Sequence, residues 1–144
     1  MTQHRHVSRP ERTDVLADIM TYIRRPAILI VDDEPSIVEL LGQLIEDVGY
    51  RALRARNGRI ALAIARRERP SLVLTDCDMP EMSGVEFVRR LRASPTTRGI
   101  PVVIMSSVRP ALEGEAIPFL EKPFDLDDIV EKVARYARPS LECG

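Results

Sequence analysis

At four places in this chain a residue able to do chemistry stands just after a short apolar run. Asp32 and Asp33 follow Ala27-Ile28-Leu29-Ile30-Val31, and Asp76 follows Leu72-Val73-Leu74-Thr75. Ser106 and Ser107 follow Val102-Val103-Ile104-Met105, and Lys122 closes the stretch that begins at Ile117. Each has an ordinary reading on its own. A carboxylate ahead of a helix caps it and is favoured by the helix dipole, a Ser-Ser pair makes a turn, and a lysine sits comfortably at an exposed strand end. Taken together they describe something more specific. Carboxylates gathered at one edge repel and raise one another's pKa unless a cation sits among them. Hard oxygen ligands that leave positions open to water and a phosphate suit Mg²⁺. Nineteen of the 21 basic residues are arginine, and Lys122 is one of only two lysines, the other being Lys132. A compact ammonium reaches a phosphate as a point charge, where a guanidinium needs planar, bidentate room. A serine hydroxyl at the neighbouring strand end can donate to a phosphoryl oxygen. Asp76, alone after the middle run, is then the candidate nucleophile toward a phosphoryl donor, with positioning and charge neutralisation supplying the catalysis.

The elements that must position these groups alternate along the chain. The runs at 27–31, 50–55, 72–74, 102–105 and 117–120 read as five strands, most of them apolar on both faces as central parallel strands are. Between them lie helical stripes: Ile37 to Val48, opened by Pro35-Ser36 and stopped by Gly49; Ile60 to Arg69, ended by Pro70; Val85 to Leu91; and Leu126 to Val133 with Asp125 as N-cap. Asn57-Gly58 reads as a turn. Strand-helix alternation implies right-handed crossovers and a doubly wound α/β sandwich, whose ligand site lies beyond the carboxyl ends of the strands. Ahead of the first strand, Val15, Leu16, Ile19, Met20 and Ile23 recur at helical spacing with Asp14 in the first turn, which predicts an extra amphipathic helix closed by Pro26.

Composition narrows the class further. With 21 basic against 22 acidic residues the net charge is −1, so the electrostatic footprint of a nucleic-acid binder is missing. The longest apolar run is far below the roughly 20 residues of a bilayer span, and the first residues lack the apolar stretch of a secretory signal. A cytoplasmic protein with no direct nucleic-acid or membrane partner is expected. Cys77 and Cys143 are isolated thiols without metal-ligand spacing, and His4 and His6 lie in a polar, arginine-rich start. Arginine clusters at Arg66-Arg67-Arg69 and Arg89-Arg90-Arg92 read as solvated helix ends.

At the strand ends the chain resembles the receiver domain of two-component response regulators. The resemblance rests on Ile28-Leu29-Ile30-Val31-Asp32-Asp33-Glu34-Pro35, on Leu72 to Gly84 with Asp76-Cys77-Asp78-Met79-Pro80 at its centre, on Ile100 to Ser107, and on Phe119-Leu120-Glu121-Lys122-Pro123-Phe124, in family order over roughly residues 26 to 138. It implies a flavodoxin-like five-stranded parallel sheet of order 2-1-3-4-5 in a stand-alone, single-domain regulator that is not an enzyme acting on other substrates. It implies that Asp76 accepts a phosphoryl group from a histidine kinase or histidine phosphotransfer protein. Asp33, Asp76 and the backbone carbonyl of Asp78 would hold Mg²⁺, with Asp32 acting through water. Ser106 and Lys122 would contact the phosphoryl oxygens, Ser106 and Phe119 would form the conformational switch, and the Lys122-Pro123 bond would be cis.

Three departures from the family pattern stand out. Asp78 adds a fourth acid two positions past the acceptor, where it bears on how water reaches an acyl phosphate. Cys77 beside the acceptor has no activating partner and reads as a tolerated small side chain. Between Ser106 and Phe119, where family members usually place a helix, Pro110, Gly114 and Pro118 leave room for at most one turn at Ala111-Leu112-Glu113, so the fourth helix is shortened or missing. The expected organisation is an arm and amphipathic helix over 1–25, a receiver unit over 26–138 and a tail over 139–144, with a homodimer through the added helix or the altered fourth-helix face as one use of these departures. Two rival readings are a receiver-like fold used only for protein contacts, and a haloacid-dehalogenase-like phosphatase with Asp76-Cys77-Asp78 as its Asp-x-Asp pair. Motif order speaks against the second, because the Asp32-Asp33 pair comes first.

Overall fold

The structure, a computed structural model, describes residues 12–110, 112 and 114–139. His4, His6, Cys143, Ala111, Glu113 and the tail beyond Pro139 lie outside the described residues. The elements are α1 (Arg12–Arg24), β1 (Ala27–Val31), α2 (Pro35–Asp47), β2 (Arg51–Ala55), α3 (Gly58–Glu68), β3 (Leu72–Asp76), α4 (Gly84–Ala93), β4 (Val102–Ser106), β5 (Phe119–Glu121) and α5 (Leu126–Tyr136). The strands form one parallel sheet of order β2-β1-β3-β4-β5.

The apolar runs become central strands because both of their faces are covered. Every residue of β1, β3 and β4 is buried. Leu29, Val31, Val73, Val102 and Ile104 pack on one face with Ala61, Leu62, Ala65, Phe87, Val88 and Leu91 from α3 and α4. Ile28, Ile30, Leu72, Leu74, Val103 and Met105 pack on the other with Leu41, Ile45, Ile129 and Val133 from α2 and α5. The alternation of side chains along each strand divides the core in this way. The chain crosses one face with α2, then the other with α3 and α4, and the reversal at β1/β3 is the topological switch point.

Several boundaries differ from the sequence reading. Asn57-Gly58 is no turn: Asn57 caps α3, its Oδ1 accepting from the Ile60 amide at 2.8 Å, and Gly58 is the first helical residue. β5 begins two residues later than the apolar stretch, at Phe119. β3 and β4 run on through Asp76 and Ser106, so these polar side chains belong to the strands themselves and inherit their rigidity. Between β4 and β5 no helix occurs among the described residues. The added helix α1 forms as expected but lies on the outside of the domain, tied to α2 by the Tyr22 hydroxyl, which donates to Glu46 Oε1 at 2.7 Å.

Candidate functional site

β1 and β3 are neighbours, with Ile28 to Val31 aligned on Leu72 to Thr75. That register carries Asp32 and Asp33, just past β1, to the same edge as Asp76, the last residue of β3. The three carboxylates each offer an oxygen within 4.8 Å of the others. β4 and β5 complete the edge: Ser106 is aligned with Glu121, and the Lys122 amide donates to the Ser106 carbonyl at 2.9 Å. Lys122 Nζ reaches Asp76 Oδ1 at 2.8 Å. The Lys122-Pro123 peptide is cis.

The electrostatics differ from simple mutual repulsion. The Asp32 carboxyl is raised from 3.8 to about 6, chiefly because it is desolvated, and the charges of Asp76 and Asp33 add to that. The Glu34 amide, which donates to Asp32 Oδ1 at 3.0 Å, and the Lys122 charge work the other way. Asp32 Oδ2 is buried with no hydrogen-bond partner. A buried carboxylate oxygen left unpaired among two other carboxylates is a costly arrangement, and a hard divalent cation is the group whose chemistry relieves it. The residues present therefore fit Mg²⁺. At Lys122 burial pulls the ammonium pKa down, but the hydrogen bond and charge of Asp76, with Asp32 and Glu34 behind them, more than offset this and hold it above its ordinary value. The lysine is thus a firmly charged donor.

Ser106 is buried, and its Oγ accepts from the Val108 amide at 3.2 Å. Phe119 is half-buried at the start of β5, with the Arg109 guanidinium 5.7 Å from its ring centroid. The Asp78 side chain is exposed in the β3–α4 loop, outside the carboxylate cluster. Burial pushes the Cys77 thiol up, which leaves it a poor nucleophile.

Two functional contributors escaped the sequence reading. A Cβ on Gly84 would collide with the Asp76 carbonyl oxygen, so only glycine lets α4 start this close to the acidic edge; its amide donates to Cys77 O at 2.8 Å. The signal was present as the Ser83-Gly84 pair, with Ser83 Oγ capping α4 through the Glu86 amide. Arg109 carries no local signal at all, because what makes it relevant is its stacking on Phe119 ten residues away.

The chain is thus a doubly wound parallel α/β domain with acids and a lysine collected beyond the carboxyl ends of its strands at the switch point. The chain belongs to the response regulator receiver family: the model of the response regulator receiver domain matches residues 28–134. It is 37% identical over 115 residues to the sporulation initiation phosphotransferase F of Bacillus subtilis (strain 168), covering 76% of this chain and 91% of that protein. Its structure is similar to chemotaxis protein CheY4 of Vibrio cholerae, with a TM-score of 0.71, 28% identity, and 78% and 98% of the two chains covered. It is similar also to the receiver domain of the sensor histidine kinase PA1611 of Pseudomonas aeruginosa PAO1, with a TM-score of 0.68, 26% identity, and 78% and 97% covered. That structure has a magnesium ion coordinated in its active-site cleft. Receiver domains are phosphoryl-accepting signalling proteins of two-component systems, and membership in the family displaces the phosphatase reading. No described helix is long and apolar enough to cross a membrane.

Proposed function

We propose that Asp76 takes the phosphoryl group, in a Mg²⁺-dependent transfer from a phosphohistidine on a histidine kinase or histidine phosphotransfer protein. The observation that carries this reading is the Asp76 carboxylate, buried at the end of β3, hydrogen-bonded to Lys122 Nζ at 2.8 Å and grouped with Asp32 and Asp33. Asp33, Asp76 and the Asp78 carbonyl would hold the cation directly and Asp32 through water. When bound, Mg²⁺ neutralises charge on the phosphoryl oxygens. The magnesium ion in the related PA1611 receiver supports this assignment.

The transfer needs little beyond placement. A carboxylate oxygen of Asp76 attacks phosphorus in line, the P–N bond breaks, and its electron pair stays on the imidazole nitrogen. Lys122 exchanges its contact with Asp76 for a phosphoryl oxygen, and the Ser106 hydroxyl donates to another. Movement of Ser106 toward the phosphoryl group frees the space into which Phe119 turns, and the β4–β5 face changes with it. The protein accelerates only its own phosphorylation and the loss of that group. The working unit spans residues 26–138, with 1–25 as an added segment and 139–144 as a tail, in the cytoplasm where the donor kinase domain resides.

Incubation with acetyl phosphate and Mg²⁺, followed by intact-mass measurement, tests the assignment. One phosphoryl adduct is expected, absent with a chelator and absent in Asp76→Asn. An unmodified wild-type chain, or an adduct that survives Asp76→Asn, refutes it.

A further inference from the structure

Between α3 and α4 the surface opens into a groove of about 390 Å³ that the phosphoryl site does not use. One wall is the stripe Arg59, Leu62, Ala63 and Arg66 of α3, and the other carries Arg90 of α4. Pro80, Glu81 and Met82 of the β3–α4 loop close the end nearer the acidic edge. Leu62 is buried and Met82 half-buried, so the floor is apolar. Met82 lies directly against Gly58, where no side chain holds it off, and a thioether adapts its shape to what is laid on it.

The charge on this face is out of proportion to the rest of the chain. Residues 56–69 hold five arginines and one glutamate in a protein whose net charge is −1. In the groove itself three exposed arginines stand against one acid, Glu81. Arg90 is shared with Glu86 at 3.2 Å, but neither Arg59 nor Arg66 has an ion-pair partner among the described residues. These two fall on one side of α3 two helical turns apart, about 10 Å along the axis, with Leu62 and Ala63 between them. An arginine takes a carboxylate in a planar, two-point contact, and a partner helix lays side chains at i, i+3, i+4 and i+7 into a groove.

We propose that this groove binds an acidic, amphipathic helical segment of a partner protein. Its carboxylates, two turns apart, sit on Arg59 and Arg66, and the apolar residues between them seat on Leu62 and Met82, with Arg90 as a third donor from the opposite wall. A nucleic acid is the poorer match. No lining residue is aromatic to stack a base, the arginines surround a short apolar floor where a strand would need a track, and the carboxylates beyond β1 and β3 repel a polyanion.

A labelled peptide of roughly 16 residues, with glutamates at i and i+7 and leucines at i+3 and i+4, tests this by fluorescence anisotropy against the full chain. Saturable binding is expected, with an affinity that falls as salt is added. Arg66→Glu, at an exposed position in the last turn of α3, should weaken binding about tenfold or more. Arg135→Glu, the same change of charge on α5 across the sheet, should leave binding unchanged. Ala63→Glu offers Arg59 and Arg66 an internal carboxylate at helical spacing and should block the groove. All three positions are exposed, so thermal unfolding and acetyl phosphate labelling are expected to stay as in the wild type. No saturable binding, equal loss in Arg66→Glu and Arg135→Glu, full binding by Ala63→Glu, or equal binding of a peptide with lysine in place of both glutamates overturns the proposal. A single-stranded oligonucleotide that binds more tightly than the peptide and is released by Arg66→Glu also overturns it and names a nucleic acid as the occupant.

Discussion

Asp32 places a stability cost inside the fold that one substitution should remove. Its carboxyl is raised from 3.8 to about 6 by desolvation first and by neighbouring charge second, and Oδ2 has no partner. A raised carboxyl pKa means the folded chain binds the proton more tightly than the unfolded one. Stability from this group is therefore fully present below pH 4 and is lost as pH rises through about 6. The shift of about two units corresponds to roughly 3 kcal/mol lost by pH 7.5, and to about half of that at pH 5. Asp32→Asn keeps the shape and the Oδ1 acceptor for the Glu34 amide, removes the charge, and turns the unpaired oxygen into a donor facing two carboxylates. In chelator at pH 7.5 the variant should be 1–3 kcal/mol more stable by urea unfolding, with the advantage about halved at pH 5. In millimolar Mg²⁺ the order should narrow or reverse, because the cation stabilises the chain that keeps all three carboxylates. A variant no more stable than wild type in chelator, or an advantage indifferent to pH, would show that the desolvation argument is wrong.

Two further outcomes follow from the same edge. Gly84→Ala puts a methyl group against the Asp76 carbonyl, so it should cost about 1–3 kcal/mol and slow acetyl phosphate labelling by misplacing Asp76, both readable on one preparation. Mg²⁺ should raise the unfolding temperature of the wild-type chain, and Asp33→Ala, at an exposed position that spares the core, should abolish that rise; an undiminished rise in the variant would remove Asp33 from the ligand set.

The chemistry was legible in the sequence because each reactive side chain terminates an apolar run. In a doubly wound sheet the ends of such runs are neighbours by topology, so Asp32, Asp33, Asp76, Ser106 and Lys122 converge without any sequence proximity. What the sequence hid depends on choices that local patterns leave open. Asn57-Gly58 is equally good as a turn and as a cap with the first helical residue, and the burial of Ala61, Leu62 and Ala65 on the inner face of α3 settles it in favour of the cap. The cause of the Asp32 shift was also out of reach: three acids spell repulsion on paper, but depth beneath the surface is a property of the packed domain.

Among the described residues of the crossover between β4 and β5, which include no helix, the core stays covered. A helix there would cover the sheet face formed by Val102 and Ile104 beside α4. Here Leu112 and Ile117 pack on that same cluster, so two side chains of the β4–β5 strap do the work of a helical stripe. The strap is fastened from the side: Arg92 of α4 donates to Glu115 at 2.8 Å and to the carbonyls of Arg98 and Ile100. One of the arginines that read as a solvated helix end is therefore a fastener, worth more than an exposed pair because it also satisfies two backbone acceptors. Beyond the fastening, Arg109 lies over Phe119, so the aromatic ring proposed to move on phosphorylation is covered by the strap itself. In the proposed switch a rearrangement at Ser106 would have to shift Arg109 before Phe119 could turn, and would carry the response into the segment between β4 and β5.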